Sequence, residues 1–295
     1  SISDSRKDKQ HNLSAIIKNQ YSSLQNISNK TVRNIEIIDK EKTIAVVTGQ
    51  QLGILGGPLY TVYKIITAIR LANQLTERYD EFKFVPVFWL EGDDHDFNEV
   101  RSINLFDNEN QVINIGYKEE INDDDAKQSI GKINFDEALN EFFSKYESSL
   151  RDSDFKNELL TKLKECYQVG KSFKQSFKEL IYWLFDEYGL VIFDPQDAEV
   201  KSLLKPIFKK EINDFAIHTQ KLIQVSAKLE ELYHAQVKVK PANLFYHTDE
   251  GRYSVEPVDD IYKLRRKRKQ FTKDEILTEI ENFPDRFSPN VLLRP

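Results

Sequence analysis

Apolar positions along the chain follow two rhythms. Three short runs carry no polar face: Thr43-Ile-Ala-Val-Val-Thr48, Lys83-Phe-Val-Pro-Val-Phe-Trp-Leu90 and Gly189-Leu-Val-Ile-Phe193. Such β-branched and aromatic runs predict strands buried on both sides in a parallel sheet. Elsewhere apolar residues recur every three or four positions. Tyr60, Tyr63, Ile65, Ala68, Leu71 and Leu75 do so between the first two runs and predict a helix there. The connecting stretch, Gly49-Gln-Gln-Leu-Gly-Ile-Leu-Gly-Gly-Pro58, holds four glycines, and Pro58 reads as the first helical residue because its missing N–H costs nothing at that position. Residues 43–99 thus form a strand–helix–strand unit around which the chain is organised.

The flanking pattern fills in the rest. Residues 1–42 are polar, with Leu13, Ile16, Ile17, Tyr21, Leu24 and Ile27 spaced as a weakly amphipathic surface helix. Alternation at 102–106 and 111–115 about Asp107-Asn-Glu-Asn110 predicts a hairpin, and 118–128 an acidic loop. Residues 136–187 read as mostly helical. Leu159, Leu163, Cys166 and Tyr167 share one face, and Phe173, Phe177, Leu180, Ile181 and Leu184 form the buried stripe of the next helix. A long helix is expected at about 215–232, and strand-like alternation at 236–239, 243–247 and 252–255 marks a β-rich insert with a turn at Asp249-Glu-Gly251. Thr272 and Glu275 have the spacing of a capping box. A further strand is expected at 291–293, so close to Arg294-Pro295 that the polypeptide is expected to continue. The fold class is α/β: a doubly wound, Rossmann-like core with helical and β-rich inserts. Its segments are 1–42 (N-terminal helix), 43–117 (first half of the core), 118–187 (helical), 188–234 (core strand and helices), 235–271 (β-rich insert) and 272–295 (return to the core).

Composition narrows the class. With 295 residues, 40% hydrophobic and 31% charged, the chain is long enough for a sizeable core. A net charge of −6 argues against a general nucleic-acid binder. One cysteine excludes an intramolecular disulfide framework and fits a reducing cytoplasm. No apolar run is long enough to span a bilayer, and the first residues lack the apolar core of a signal peptide. No nucleic-acid or membrane partner is expected, and the expected location is cytoplasmic.

Candidate chemistry gathers at the ends of the first two strands. The helix start after Gly56 and Gly57 presents amides and a positive dipole end to an anion. The second strand empties into Glu91-Gly-Asp-Asp-His-Asp96, a crowding of charge that folding alone explains poorly. His95 is the candidate general base, with Asp94 or Asp96 orienting it. Asp93, Asp94, His95 and Asp96 also allow a metal-dependent hydrolase, although consecutive loop residues rarely all face one ion; no metal site is assigned. A third reading is a non-catalytic nucleotide-binding protein. Other features read as structural: Cys166 as a core thiol, Asp194 as a strand-end residue that faces the same crevice or caps the next turn, His234 and His247 as ordinary histidines, Gly170-Lys-Ser as a false phosphate loop without its strand, and Arg265-Arg-Lys-Arg-Lys269 as a solvated turn.

These stretches resemble the bacillithiol biosynthesis cysteine-adding enzyme family. The resemblance lies in Thr48-Gly-Gln-Gln-Leu-Gly-Ile-Leu-Gly-Gly-Pro-Leu-Tyr-Thr-Val-Tyr-Lys64, Val85-Pro-Val-Phe-Trp-Leu90, Asp93-Asp-His-Asp-Phe-Asn-Glu-Val100, Gly189-Leu-Val-Ile-Phe-Asp194 and Phe287-Ser-Pro-Asn-Val-Leu-Leu-Arg-Pro295. It covers nearly all of 43–295. The family usually has Glu where this chain has Asp93, a shorter reach for the same charge. The resemblance implies a core akin to class I aminoacyl-tRNA synthetases. It also implies a ligase joining cysteine to glucosaminyl-malate in the last step of bacillithiol synthesis, with ATP or ADP as nucleotide. Homodimerisation is expected through a C-terminal helical coiled-coil arm that lies beyond this sequence. On this reading Gly49, Gln50, Gln51, Gly56, Gly57, Pro58, Tyr60, Lys64 and Asp93 bind substrate or nucleotide, joined by Asn290 and Arg294 from the end of the chain.

Overall fold

A computed structural model describes residues 12–93, 96–118, 128–235 and 239–290. The chain divides into two compact units, residues 1–195 and 196–295. In the first unit, α1 (Leu13–Gln20) and α2 (Asn29–Ile37) precede β1 (Thr43–Gln51), α3 (Tyr60–Arg78), β2 (Lys83–Glu91) and the short α4 (Phe97–Val100). The hairpin β3 (Ser102–Phe106) and β4 (Val112–Gly116) forms where alternation predicts it. Three helices follow, α5 (Ala138–Ser149), α6 (Lys156–Cys166) and α7 (Phe173–Phe185), before β5 (Val191–Phe193).

The parallel sheet has the order β1-β2-β5. β1 and β2 run in register from Thr43 opposite Lys83 to Gln51 opposite Glu91, and β5 joins β2 along Val87–Trp89. β2 is the central strand, and Val85, Phe88 and Leu90 are fully buried. The expectation that β1 is buried on both sides is corrected: Val47 is 57% exposed and Ala45 is exposed too. Among the described residues β1 pairs only with β2, so it is an edge strand. Its apolar run encodes a strand, but which strands flank it is a tertiary matter. The core below is aromatic. Phe135 stacks on Phe173 at 4.2 Å between ring centres, with Phe97, Tyr117 and Tyr167 edge-on around the pair.

Asp194 does not stand open at the end of β5. Lys174 Nζ lies 2.7 Å from its carboxylate, its N–H donates to Gln20 Oε1, and its carbonyl accepts from Gln20 Nε2. It ties α1 and α7 to the strand end. Cys166 is buried, as its helical face predicts.

The second unit holds α8 (Ala198–Leu203) and α9 (Lys205–Glu230), then β6 (Leu244–Thr248), β7 (Gly251–Val258), β8 (Ile261–Leu264), β9 (Gln270–Thr272), α10 (Lys273–Asn282) and β10 (Phe287–Pro289). The strands form one antiparallel sheet of order β10-β6-β7-β8-β9. The expected long helix starts earlier than the pattern suggests, at Lys205, because Pro206 sits comfortably in its first turn. The capping box at Thr272 is present in full. Residues 265–269 form the β8–β9 turn, where Arg265, Arg266 and Arg268 are exposed. The strands expected at 236–239 and 291–293 fall largely or wholly outside the described residues. Among the described residues no helix is long and apolar enough to cross a membrane.

Glu211 anchors this unit. Its side chain is fully buried on α9, and its Oε1 accepts from Asn243 N at 2.8 Å and Asn243 Nδ2 at 3.0 Å. His218 Nδ1 lies 2.6 Å from Oε2. Removing the carboxyl strands two buried donors of Asn243. Glu211→Ala should therefore lower unfolding free energy by about 3 kcal/mol, read as a lower denaturation midpoint in urea, while exposed Lys221→Ala should change it by less than about 0.5 kcal/mol.

Candidate functional site

The glycine loop is a tight, self-satisfied turn. After β1, Leu52 N donates to Glu91 O, so the loop leaves the sheet hydrogen-bonded to the end of β2. Residues Ile54–Gly56 make one 3₁₀ turn, with Leu55, Gly56 and Gly57 all at positive φ. Gly53 and Gly57 pass so closely that a Cβ on Gly53 would lie 2.7 Å from Gly57 Cα. Only glycine permits that backbone contact. The Gly57 amide donates to Ile54 O, and the Gly56 amide to Gly53 O and to the buried Tyr167 Oη at 3.2 Å. Burial pushes the Tyr167 phenol far above its ordinary range, so it stays a neutral partner.

The helix begins at Tyr60 rather than Pro58. Thr61 N donates to Pro58 O, so Pro58 and Leu59 supply the entry turn, and Leu59 is the capping position. The loop's own bonds use the Gly56 and Gly57 amides. An anion at this helix start therefore meets the entry around Leu59 and Tyr60, which is exposed.

Four predicted residues come together beside it. Lys64, about one turn into α3, places its Nζ 2.5 Å from Gly49 O and 3.1 Å from Gln50 Oε1. Gln50 Nε2 donates to Tyr60 Oη at 3.3 Å, and Lys64 Nζ lies 5.9 Å from the Tyr60 ring centre. The result is a small exposed network of an ammonium, an amide and a phenol at the carboxyl end of β1. Gln51 follows in register opposite Glu91.

Across the register, the end of β2 is acidic and buried. Asp93 is 6% exposed and Glu91 7%. Glu91 Oε1 accepts from Asp93 N at 3.0 Å, and Oε2 accepts from Trp89 Nε1 at 3.3 Å. Glu91 was not among the sequence-derived site residues. Its signal was there, as the first charge after a fully apolar strand. Asp96 caps α4, its Oδ1 accepting from Glu99 N at 3.2 Å. Asp94, His95 and Arg294 lie outside the described residues. Asn290 belongs to the second unit, where its N–H donates to Asn243 O at 2.7 Å. His247 is buried against Ser288, and His234 is exposed beside Glu230.

A parallel βαβ sheet with a glycine turn and an acidic loop at its carboxyl edge defines a Rossmann-like α/β domain, the class that binds small molecules at that edge. The chain belongs to the family described as bacillithiol biosynthesis BshC, N-terminal Rossmann-like domain, whose model matches residues 1–295. Several relatives carry the name "Putative cysteine ligase BshC", three of them as follows. The one from Salinibacter ruber is 34% identical over 271 residues, covering 91% of this chain and 49% of the relative. The one from Chloroherpeton thalassium is 36% identical over 272 residues, covering 90% and 47%. The one from Flavobacterium johnsoniae is 35% identical over 288 residues, covering 97% and 52%. The chain spans about half the length of these relatives.

Two outcomes follow from the local structure. Gly53→Ala forces two backbone segments apart and should cost about 1–3 kcal/mol of stability, seen as a lower melting temperature. Burial pushes the Cys166 thiol up to about 11 from 9.0. The unfolded thiol ionises first, so its contribution to stability is present below pH 9 and declines as pH rises through 11. Native protein should accordingly react with a thiol reagent at pH 8 far more slowly than urea-unfolded protein.

Proposed function

We propose that this chain is the Rossmann-like part of a ligase that joins L-cysteine to glucosaminyl-malate in the last step of bacillithiol synthesis. One observation carries the reading beyond family membership: Lys64, Gln50 and Tyr60 form a connected donor set at the carboxyl edge of β1, where the next residue, Gln51, stands in register opposite the buried Glu91.

Amide formation between a carboxylate and an amine asks for three things. The carboxylate must be held and activated, the amine must lose a proton, and developing negative charge must be stabilised. The ammonium of Lys64, the Tyr60 hydroxyl and the start of α3 suit an oxyanion, whether a substrate carboxylate or a nucleotide phosphate. ATP, when bound, supplies the leaving group that a free carboxylate lacks. Gln50 and Gln51 can donate and accept, which fits hydroxyl and carboxyl groups of a sugar–malate substrate. Glu91 and Asp93 place buried negative charge near this edge, which suits an incoming ammonium such as the amine of either substrate. His95 is assigned the general base, with Asp94 as its orienting carboxylate, since Asp96 is engaged as the α4 cap. The single His and neighbouring acids also describe a metal-dependent hydrolase, but no observation favours that reading. Dimerisation through a C-terminal helical arm belongs to the same proposal.

The test is mass-spectrometric detection of bacillithiol from cysteine, glucosaminyl-malate and ATP, using the complete gene product. Wild type should form product. Lys64→Ala and His95→Ala should each lower turnover by about 100-fold while melting normally. Folded variants with unchanged turnover would remove these residues from the site, and a folded complete wild type that forms no product would remove the ligase reading.

A further inference from the structure

The second unit carries a concentration of positive charge that the ligase reading does not use. Strand alternation sends Leu244, Tyr246, Tyr253, Val255 and Phe287 into the core. The opposite face of the same sheet bears Phe245, His247, Arg252, Glu256, Lys263 and Ser288. This face is polar, yet Ser288 is fully buried and His247 is only 9% exposed.

Two cations meet at the Phe245 ring, and a third stands on the adjoining turn. The Arg252 guanidinium carbon lies 3.8 Å from the Phe245 ring centre, and Lys240 Nζ lies 4.5 Å from it. Arg252 is held further by Nε donating to Ser288 Oγ at 3.0 Å, while His247 Nε2 sits 2.9 Å from the same oxygen. Arg265 is fixed alongside by its N–H, which donates to Ser254 O at 3.0 Å, and its Nε is 3.6 Å from Glu256. Burial pushes the Lys240 ammonium below its ordinary range, and the charges of Arg252 and Arg265 push the same way against the opposing pull of Glu256. Several positive groups close together favour an arriving anion, which interacts with each of them. A stacked guanidinium is already oriented, so little freedom is lost when it grips an oxyanion.

We propose that Lys240 and Arg252, both set against the Phe245 ring, together with Arg265 on the adjoining turn, form a binding site for a small doubly charged oxyanion group, phosphate or dicarboxylate. The site lies wholly within the second unit and is independent of the ligase reading. Phe245 and Ser288 set the guanidinium plane, and Lys240 and Arg265 add positive charge.

The test is calorimetric titration of the full chain at low salt with pyrophosphate and, separately, with succinate. At least one should bind, and the tighter of the two identifies phosphate or dicarboxylate as the source. Lys240→Gln and Arg265→Gln should each weaken that binding by about fivefold or more, while Lys221→Gln, at an exposed helix position outside both sites, leaves it unchanged. Backbone amide shifts at Phe245 and Ser254 on titration provide a readout that needs no variant. The proposal is overturned if neither anion binds, if both variants bind as wild type does, or if Lys64→Gln alone removes the binding.

Discussion

Parallel pairing of β1 with β2 is the constraint from which the rest of the first unit follows. Two parallel neighbours cannot be joined by a hairpin, so the chain must cross over, and α3 is that crossover. The register then brings the glycine loop after Gln51 level with the acidic loop after Glu91. Leu52 N donating to Glu91 O fastens the two exits together. Polar groups from residues forty positions apart thereby share one edge. The buried face of β2, with Phe88 stacked over Phe177, keeps that edge from shifting.

Much of this was legible in the chain. Continuous apolar runs marked the strands, and helical spacing marked α3, α6 and α7. The glycines located the turn, and Gln50, Tyr60 and Lys64 do converge. What escaped the sequence depends on tertiary partners. Nothing local to Ala45 and Val47 says that β1 lies at an edge. Helix entry slipped from Pro58 to Tyr60 because Leu55, Gly56 and Gly57 use positive φ to close a turn first. Glu211 reads as one more charge on a helix, and its burial is decided by Asn243, thirty-two residues on. Asp194 reads as either crevice-facing or a cap for the next turn, and neither reading foresees that Lys174 and Gln20 hold it.

The glycine loop also separates two roles that glycine-rich turns are often given together. Close backbone approach is used here, between Gly53 and Gly57, but it serves the loop itself. The amides of Gly56 and Gly57 are engaged within the fold, one of them with the Tyr167 hydroxyl. On the proposed reading, anion recognition falls to the helix start and to Lys64, groups that the tight turn holds in place. The turn acts as a rigid mount, and the donors stand on the helix it introduces.

That division explains why Lys64 can be both ordered and available. Its bonds to Gly49 O and Gln50 Oε1 pair an ammonium with neutral oxygens and are exposed to solvent, which weakens them. An anionic group pairs charge with charge and so competes well for the same donor. Such a group can draw the ammonium from Gly49 without disturbing the strand, whose carbonyl can return to water. Lys178 shows the contrast: it is buried on α7, bonded to the Gln20 carbonyl and set against the Tyr21 ring. Taking that ammonium away would leave buried groups without partners and loosen α1 from the core. The same chemical group is a fastening in one place and a donor in waiting in the other, and exposure decides which.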